Sequence, residues 1–528
     1  MSTGHTGSHP SFKAVVGDQE AQFHDSSQHH FKFDMAQSVA DPSTTARWSA
    51  AKEGDKIVPQ WSLRQSCLCT VKDSVLGWSR GRRNSVTAQS SENPFLEYPI
   101  DLRHELLNHL LRLKPTGREL LKAAELLVIS GIPSFDMSCL DDCKFSDCCI
   151  ILEALIRTGP CLRELVLAGQ WLYHESSNNL VQEILCSCPN LRYLKLQHTT
   201  NEGKELELAL QHCPKLQRLE IMHPSVDEKD IEDLASVMLD NPMFDSSRQN
   251  LIEVRLPSSV NGRGVLKLLQ ALPNVKYISC TYLDQVIDEL EDIQDIYEQS
   301  FWHERLSSVK GIHVCLPVCA DTPGLIVDWF PNLEELSLEV QEDMDLQPLA
   351  NLSKLTSLEF KNSPTIPISY MDEVLCLLAK CGVKLLSLSL ERFDLIDLAK
   401  TTTYCPNLRS FSAQWFTILS TSIGRGSKKQ FLNLRYLRLR PRVGRKVTPE
   451  ACEILLTHSQ CLKHLEFYCS YGLTDSLINK VLKTNQFTQL RTLLLRHGHG
   501  LSSNGILQIT RRAQNLRVWD VGMMHSKS

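Results

Sequence analysis

The sequence has no uninterrupted apolar run long enough to cross a bilayer, and its first residues, with His5 and His9, lack the apolar core of a signal peptide. We therefore expect a protein of the cytoplasm, with the nucleus as the alternative, that has no membrane partner. The sequence also lacks a Walker loop, a dinucleotide-binding glycine fingerprint after a strand, a His-Glu-x-x-His motif and a nucleophile elbow. These absences predict a non-enzymatic protein that binds no cofactor.

Cysteine pairs of the Cys-x-x-Cys kind are also missing, although the chain has 19 cysteines. An odd number of cysteines fits reduced, buried thiols better than a disulfide framework. Cys143, Cys148 and Cys149 are close enough in sequence to suggest zinc. However, several of these cysteines occupy repeat positions that demand a small apolar group. We therefore predict structural thiols and no metal site.

The chain does contain enough apolar side chains to form a large core. The 528 residues are 42% hydrophobic and 22% charged, as in ordinary soluble globular proteins. The formal net charge of −5 by itself argues neither for nor against nucleic acid.

A block of the form Leu-x-x-Leu-x-Leu recurs along the chain, as in CSCPNLRYLKLQH at 186–198. A further repeat begins near Ile132, and the average spacing of about 27 residues is in the range of leucine-rich repeats. Fourteen blocks begin, at their first leucine-like position, at residues 162, 191, 216, 251, 275, 309, 333, 355, 385, 408, 434, 462, 490 and 516.

Each block has the pattern of a short, half-buried strand. Leu191, Leu194 and Leu196 need one buried side, while Tyr193 and Lys195 point to the opposite face. The preceding LVQEILCSC has helical spacing and ends at Pro-Asn. The pattern predicts an α/β leucine-rich-repeat solenoid, a curved horseshoe with parallel strands on its concave face and helices on its convex face.

The run CKFSDCCIILEALIRTGPCLRELVL at 143–167 resembles the cysteine-containing class of leucine-rich repeat. LTDSLINKVL at 473–482 has the same hydroxyl-Asp helix start, with Thr474 and Ser146 as the expected N-caps. This class is typical of F-box/leucine-rich-repeat proteins. The resemblance implies a substrate-recognition subunit of a cullin-type ubiquitin ligase, whereas a ligase-independent scaffold or regulator is the alternative.

Residues 94–130 have a helical pattern, and YPIDLRHELLNHLL within them is similar to the opening of an F-box. The resemblance implies that Leu102, Leu106, Leu107 and Leu110 bind an F-box-type linker protein and through it a cullin. The usual later Val-Cys-x-x-Trp helix is absent. A cap over the first repeat is an equally good interpretation, since solenoids need polar-faced ends.

The remaining regions are a tail and the solenoid itself. Residues 1–93 lack periodicity and are rich in Ser, His, Gln and Gly, which predicts a disordered N-terminal tail. Within it, Ser85 in RGRRNSV resembles a basophilic-kinase acceptor and is a phosphorylation candidate, although such short matches are common by chance. Residues 131–528 are predicted to form about 14 to 15 irregular repeats.

The outward positions of the blocks change character along the chain. The middle blocks display acids, including Glu335, Glu339, Glu359 and Glu391. Because Arg and Tyr are favoured at binding hot spots, we predict that the C-terminal blocks bind a protein or peptide with acidic groups. The predicted partner-binding residues are Tyr436, Arg438, Arg440, His464, Tyr468 and Arg496.

Three alternatives to an acidic protein partner at these residues remain open. Glu466 and nearby loops could neutralise the arginines internally. Nucleic acid is a second choice of partner, disfavoured by the overall acidity and by the lack of basic residues on the middle strands. The acidic middle face is the next candidate site. We expect Arg438 and Arg440 to be exposed, since they alternate with leucines on one strand.

Residues 284–304 contain eight Asp or Glu and no Lys or Arg. Val286, Leu290, Ile293 and Tyr297 have helical spacing, which predicts one amphipathic helix with an acidic, solvated exterior.

Overall fold

The structure is a computed structural model that describes residues 98–100, 102–104, 106–107, 124–125, 127–128, 131–140, 145–169, 177–197, 202–222, 226–420, 431–442, 445, 447–468, 472–496, 500–516 and 518–521. The predicted tail at 1–93, with Ser85, lies outside the described residues, as do Leu110 and Cys143.

One sheet of fifteen strands runs through the described part of the chain, and all its neighbouring strands are parallel. Two further strands, the eleventh and thirteenth, pair with each other in a small parallel sheet. In chain order the strands are β1 (Ser134–Asp136), β2 (Glu164–Leu167), β3 (Tyr193–Leu196), β4 (Arg218–Ile221), β5 (Glu253–Arg255), β6 (Tyr277–Cys280), β7 (Gly311–Pro317), β8 (Glu335–Val340), β9 (Ser357–Asn362), β10 (Ser387–Glu391), β11 (Leu395–Asp397), β12 (Ser410–Phe416), β13 (Ile418–Ser420), β14 (Tyr436–Pro441), β15 (His464–Tyr468), β16 (Thr492–Arg496) and β17 (Val518–Val521).

Helices connect most successive strands, and neighbouring helices pack side by side in a second layer. Single 3-10 turns replace the helix in short repeats, as at Gln347–Asn351 between β8 and β9. The helices are α1 (Phe145–Thr158), α2 (Ser177–Ser187), α3 (Glu202–His212), α4 (Glu228–Asp240), α5 (Asp245–Asn250), α6 (Gly262–Ala271), α7 (Leu283–Glu291), α8 (Ile296–Ser307), α9 (Thr322–Trp329), α10 (Leu375–Cys381), α11 (Leu398–Tyr404), α12 (Pro449–Thr457), α13 (Asp475–Val481) and α14 (Ser503–Arg512).

The strand register follows the leucine blocks. In all fourteen blocks the strand begins two residues after the first leucine-like position, and the segment at Ile132 supplies β1. Leu191, Leu194 and Leu196 are buried, whereas Tyr193 and Lys195 are half-buried on the other side. The predicted fold is therefore confirmed: the chain forms a leucine-rich-repeat solenoid with parallel strands on its concave face.

The apolar sides of strands and helices meet in one contiguous buried cluster that extends from Leu106 to Ala513. Cysteines contribute to it, since Cys148, Cys188 and Cys452 are fully buried. Burial raises the pKa of Cys188 to about 11, even though a hydrogen bond with the Ser187 hydroxyl opposes the rise. Burial also raises the pKa of Cys452, so the Cys188 and Cys452 thiols stay protonated at neutral pH and act as small apolar groups.

In several repeats the turn before the strand carries an asparagine that links neighbouring repeats. In six repeats the side-chain amide donates a hydrogen bond of 2.7 to 3.0 Å to a backbone carbonyl in the preceding repeat's turn. These bonds satisfy turn carbonyls that the sheet leaves unpaired, so Pro-Asn ends the helix and also joins the repeats. The asparagines are Asn190, Asn250, Asn274, Asn332, Asn407 and Asn515.

The acidic segment is two helices, so the prediction of a single helix over 284–304 was wrong. α7 ends at Glu291, and α8 begins after Asp295, whose carboxylate accepts hydrogen bonds from the backbone N–H groups of Tyr297 and Glu298. The break rotates Tyr297 away from the core, and its side chain is exposed rather than buried with Val286 and Leu290.

In the described part of the chain, no helix is long and apolar enough to cross a membrane.

Candidate functional site

The predicted partner-binding residues lie together on the concave side of β14, β15 and β16. The parallel register places Tyr436 beside His464, Arg438 beside Glu466, and Tyr468 beside Arg496. We call this surface the C-terminal face and define it by Trp415, Tyr436, Arg438, Arg440, His464, Glu466, Tyr468 and Arg496.

Arg438 lies in the interior of this face, and the expectation that it is exposed was wrong. It is only 7% exposed, and its Nε atom lies 3.4 Å from a Glu466 carboxylate oxygen. Long side chains on parallel strands about 4.8 Å apart cover one another, so alternation along a strand does not guarantee exposure. Arg438 is therefore part of the internal neutralisation that the sequence left open.

Glu466 is the centre of a hydrogen-bonded cluster. Burial alone raises the pKa of its carboxyl. That effect is outweighed by the hydrogen bond from His464, the charge of Arg438 and the hydrogen bond from Tyr468, so the pKa lies below its usual value. The His464 Nε2 atom is 3.5 Å from the Glu466 carboxylate, and the His464 ring stacks on Tyr436 with centroids 4.5 Å apart. The cluster holds the rings of His464 and Tyr436 in fixed positions.

Arg440 has different surroundings, because two aromatic rings flank its guanidinium. Its Cζ atom lies 4.4 Å from the centroid of Trp415 and 5.2 Å from that of Tyr468. These rings come from β12 and β15, the strands on either side of β14. No ion pair among the described residues includes Arg440, which is half-buried. Cation–π contacts occupy the faces of a guanidinium and leave its edge N–H groups available to a planar anion.

Trp415 was missed by the sequence analysis because it lies outside the alternating positions of its strand. A bulge shifts the register between Gln414 and Phe416, and Trp415 takes the left-handed conformation with a φ of 56°. Its backbone carbonyl accepts a hydrogen bond from the Arg442 Nε atom at 3.0 Å. A non-glycine residue in this conformation is strained, and such strain concentrates at functional sites. No residue type in the sequence signals this bulge.

A second residue in the left-handed conformation lies next to this strand. It is Arg392, which follows the neighbouring strand β10 and has a φ of 64°. Its guanidinium lies 3.2 Å from Glu391 and 3.4 Å from Glu339. Glu359, fully covered in the same region, accepts a hydrogen bond from the Ser337 hydroxyl at 3.1 Å. Burial raises the pKa of Glu359, with Lys361 and Ser337 opposing the rise.

The acidic middle face is consequently less charged than the sequence suggested. Glu339 and Glu359 are buried, while Glu335 and Glu391 are half-buried. Burial raises the pKa of Glu335 and that of Glu339, and in Glu335 the nearby Glu253 and Glu334 add to the rise. This face is a partly neutralised surface, and the C-terminal face remains the better candidate site.

The predicted linker-binding leucines lie at the N-terminal end of the solenoid. Leu106 and Leu107 are fully buried in the core cluster, and Leu102 is half-buried. His104 on the same helix forms a 3.1 Å hydrogen bond with the Ser134 hydroxyl of β1. Tyr98 and Ile100, just before them, are exposed apolar residues. Among the described residues of this segment, His104, Leu106 and Leu107 pack against the first repeat, and the exposed apolar side chains are those of Tyr98 and Ile100.

No set of three or more His, Cys, Asp or Glu side chains that could hold a metal ion occurs among the described residues. Of the cysteines suggested for zinc, Cys148 is buried and Cys149 is half-buried.

No protein-family model and no curated protein matches this chain. Among solved structures, the complex of Rad7 and Elc1 from yeast matches at 13% identity and a TM-score of 0.42, over 84% of this chain and 96% of the other. A leucine-rich-repeat protein of Leptospira interrogans matches at 15% identity and a TM-score of 0.26, over 70% of this chain and 91% of the other. The complex of TLR13 with an RNA, ssRNA13, matches at 15% identity and a TM-score of 0.30, over 70% of this chain and 59% of the other. Likenesses this distant say nothing about what this chain binds.

Proposed function

We propose that the chain is a non-catalytic protein-binding solenoid whose C-terminal face holds an acidic segment of a partner protein. The observation that carries this proposal is Arg440, whose guanidinium is flanked by Trp415 and Tyr468 and has no carboxylate partner among the described residues. A carboxylate can accept two parallel hydrogen bonds from the edge of a guanidinium. The surrounding aromatic rings supply apolar contact area of the kind found at binding hot spots.

Nucleic acid is the second candidate because a phosphate could accept the same hydrogen bonds. Sequence-tolerant binding of a single strand needs a continuous basic groove with stacking platforms. Here Arg438 is paired with Glu466, and the adjoining middle face carries four glutamates. The electrostatics therefore favour a protein partner with a few acidic side chains over a polyanion.

We further propose that the solenoid is the substrate-recognition subunit of a cullin-type ubiquitin ligase. The supports are the resemblance of residues 143–167 to the repeats of F-box/leucine-rich-repeat proteins and the F-box-like helix start, where Tyr98 and Ile100 are exposed. Because Leu106 and Leu107 are buried, a linker protein would bind this exposed start rather than those two leucines. A ligase-independent scaffold is the alternative.

Affinity purification with mass spectrometry tests both proposals when wild type is compared with two point variants. Ile100→Asp should lose the linker and cullin and keep the acidic partner, whereas Arg440→Glu should do the reverse. Ile366→Asp, at an exposed isoleucine remote in sequence from both sites, is the matched control for the first variant. Recovery of no linker or cullin by wild type, in cells where an established F-box protein recovers both, would exclude ligase membership and favour the scaffold.

A further inference from the structure

The second helix of the acidic segment exposes a set of large apolar side chains. Ile296 is 79% exposed, Tyr297 88% and Phe301 44%. Tyr297 and Phe301 are four residues apart on one helix, so their side chains lie next to each other. We call these three residues the α8 patch. Exposed apolar groups gathered on one element mark interaction sites more often than isolated ones do.

The helix that carries this patch is an addition to the basic repeat. Its repeat, from the block at 275 to the block at 309, is longer than the average and holds both α7 and α8. α8 is anchored by one side through the buried Trp302 and Leu306, and by the His303 ring stacked on Trp329 at 4.2 Å. These contacts fix the helix against the solenoid, and the residues of the α8 patch are exposed on the rest of its surface.

Negative charge is concentrated along the segment that carries the patch. None of the eight acids at 284–304 takes part in an ion pair among the described residues. The nearest cation in sequence, Arg305, donates to the backbone carbonyls of Leu269, Leu272 and Pro273, which fixes it against the repeat before. The acids are Asp284, Asp288, Glu289, Glu291, Asp292, Asp295, Glu298 and Glu304.

We infer that the α8 patch is a docking site for a partner-protein segment that combines Lys or Arg with large apolar side chains. The apolar groups would pack on Tyr297 and Phe301 while the cations meet acids of the same segment, such as Glu298 and Glu304 on α8, which is the complementarity found across natural interfaces. The same charge argues against the other occupants. An anionic membrane surface and a nucleic acid would be repelled, and a second copy would bring two uncompensated acidic segments together.

The test uses full-length protein and a synthetic amphipathic helical peptide with one leucine face and one lysine face as the probe. Fluorescence anisotropy should show binding that weakens as salt is raised, because screening reduces attraction between exposed charges. Tyr297→Ser with Phe301→Ser should weaken binding about tenfold or more at an unchanged melting temperature, since both side chains are exposed. Hydrogen exchange should show peptide-dependent protection at 292–304.

Two controls keep this result specific. Ile366→Ser removes another exposed apolar side chain and should leave the affinity unchanged. A peptide with glutamate in place of each lysine should not bind. The inference is overturned if the lysine peptide fails to bind wild type, or if it binds the double variant equally well. It is also overturned if the wild type dimerises through this patch, as shown by a concentration-dependent mass that the double variant loses. None of these outcomes depends on Arg440, so the proposed function is tested separately.

Discussion

Arg438 and Arg440 are two residues apart on one strand, yet their surroundings give them different roles. Arg438 is buried against Glu466, while Arg440 lies between two aromatic rings and has no carboxylate partner in the described part of the chain. The sequence could place both on the same face, because side chains alternate along a strand. It could not distinguish them, since the difference arises from Glu466 on the next strand and from Trp415 in a bulge.

This difference predicts that substituting the two arginines has unequal effects on stability. Arg438→Ala should lower the free energy of unfolding by about 3 kcal/mol, because it leaves the Glu466 carboxylate buried with less positive charge nearby. Arg440→Ala should change it little, since no buried charge loses its partner. Thermal unfolding of the two variants beside wild type measures this, and equal melting temperatures would contradict the assigned roles.

Glu359 should make stability depend on pH. Its pKa is raised by burial, so the folded state holds a proton more tightly than the unfolded state does. Ionising the carboxyl therefore costs the folded state free energy at high pH, and this cost disappears as pH falls through the raised pKa. Glu359→Gln should raise the melting temperature by a few degrees at pH 8, with a smaller gain at pH 5, in thermal scans across this range. A gain that grew toward acid pH would contradict a raised pKa for Glu359.

Among the secondary-structure elements, each of the fourteen leucine blocks correctly predicted a strand of the long sheet. This worked because a one-residue slip would expose the whole buried set of leucines, so the pattern fixes the register. The small β11–β13 sheet was not predicted, since it follows from left-handed turns at Arg392 and Trp415 that no glycine marks. The break before α8 did have a signal, an aspartate N-cap at Asp295.

Helix packing between repeats predicts a contrast between two glycines. A Cβ atom added at Gly262 would lie 2.3 Å from the Gln285 backbone of α7, whereas one at Gly324 would meet nothing within 4 Å. Gly262→Ala should therefore destabilise the protein by about 1 to 3 kcal/mol through overpacking. Gly324→Ala should be neutral or stabilising by up to about 1 kcal/mol, because alanine favours helix. Chemical denaturation compares them, and an equal effect of both would mean that α6 and α7 are not so closely packed.

The described repeats form a one-dimensional stack in which each repeat contacts mainly its neighbours. The contiguous core from Leu106 to Ala513 is what the sequence predicted best, because it depends on the apolar pattern alone. The candidate site was predicted only in outline, since its chemistry depends on contacts between side chains from different repeats.

The stack predicts that a charge is tolerated on one side of the sheet and not on the other. Leu465 is buried, whereas Leu494 on the next strand is half-buried on the concave face. Leu465→Arg should lower the free energy of unfolding by several kcal/mol, because it buries an unpaired charge. Leu494→Arg should leave folding nearly unchanged in the same thermal assay. A soluble Leu465→Arg variant with an unchanged melting temperature would contradict the repeat register.

Whether the C-terminal face binds the partner is tested most directly by the affinity of the recovered acidic partner for Arg440→Ala. Arg511→Ala, at an exposed arginine on α14, is the control. We predict that Arg440→Ala binds about tenfold or more weakly than wild type, a loss of about 1.4 kcal/mol, while Arg511→Ala binds normally. Arg440→Lys should restore little of the loss, because an ammonium lacks the planar edge that two aromatic rings hold in place. Undiminished binding by Arg440→Ala, at unchanged stability, would contradict the assignment of the C-terminal face as the binding site.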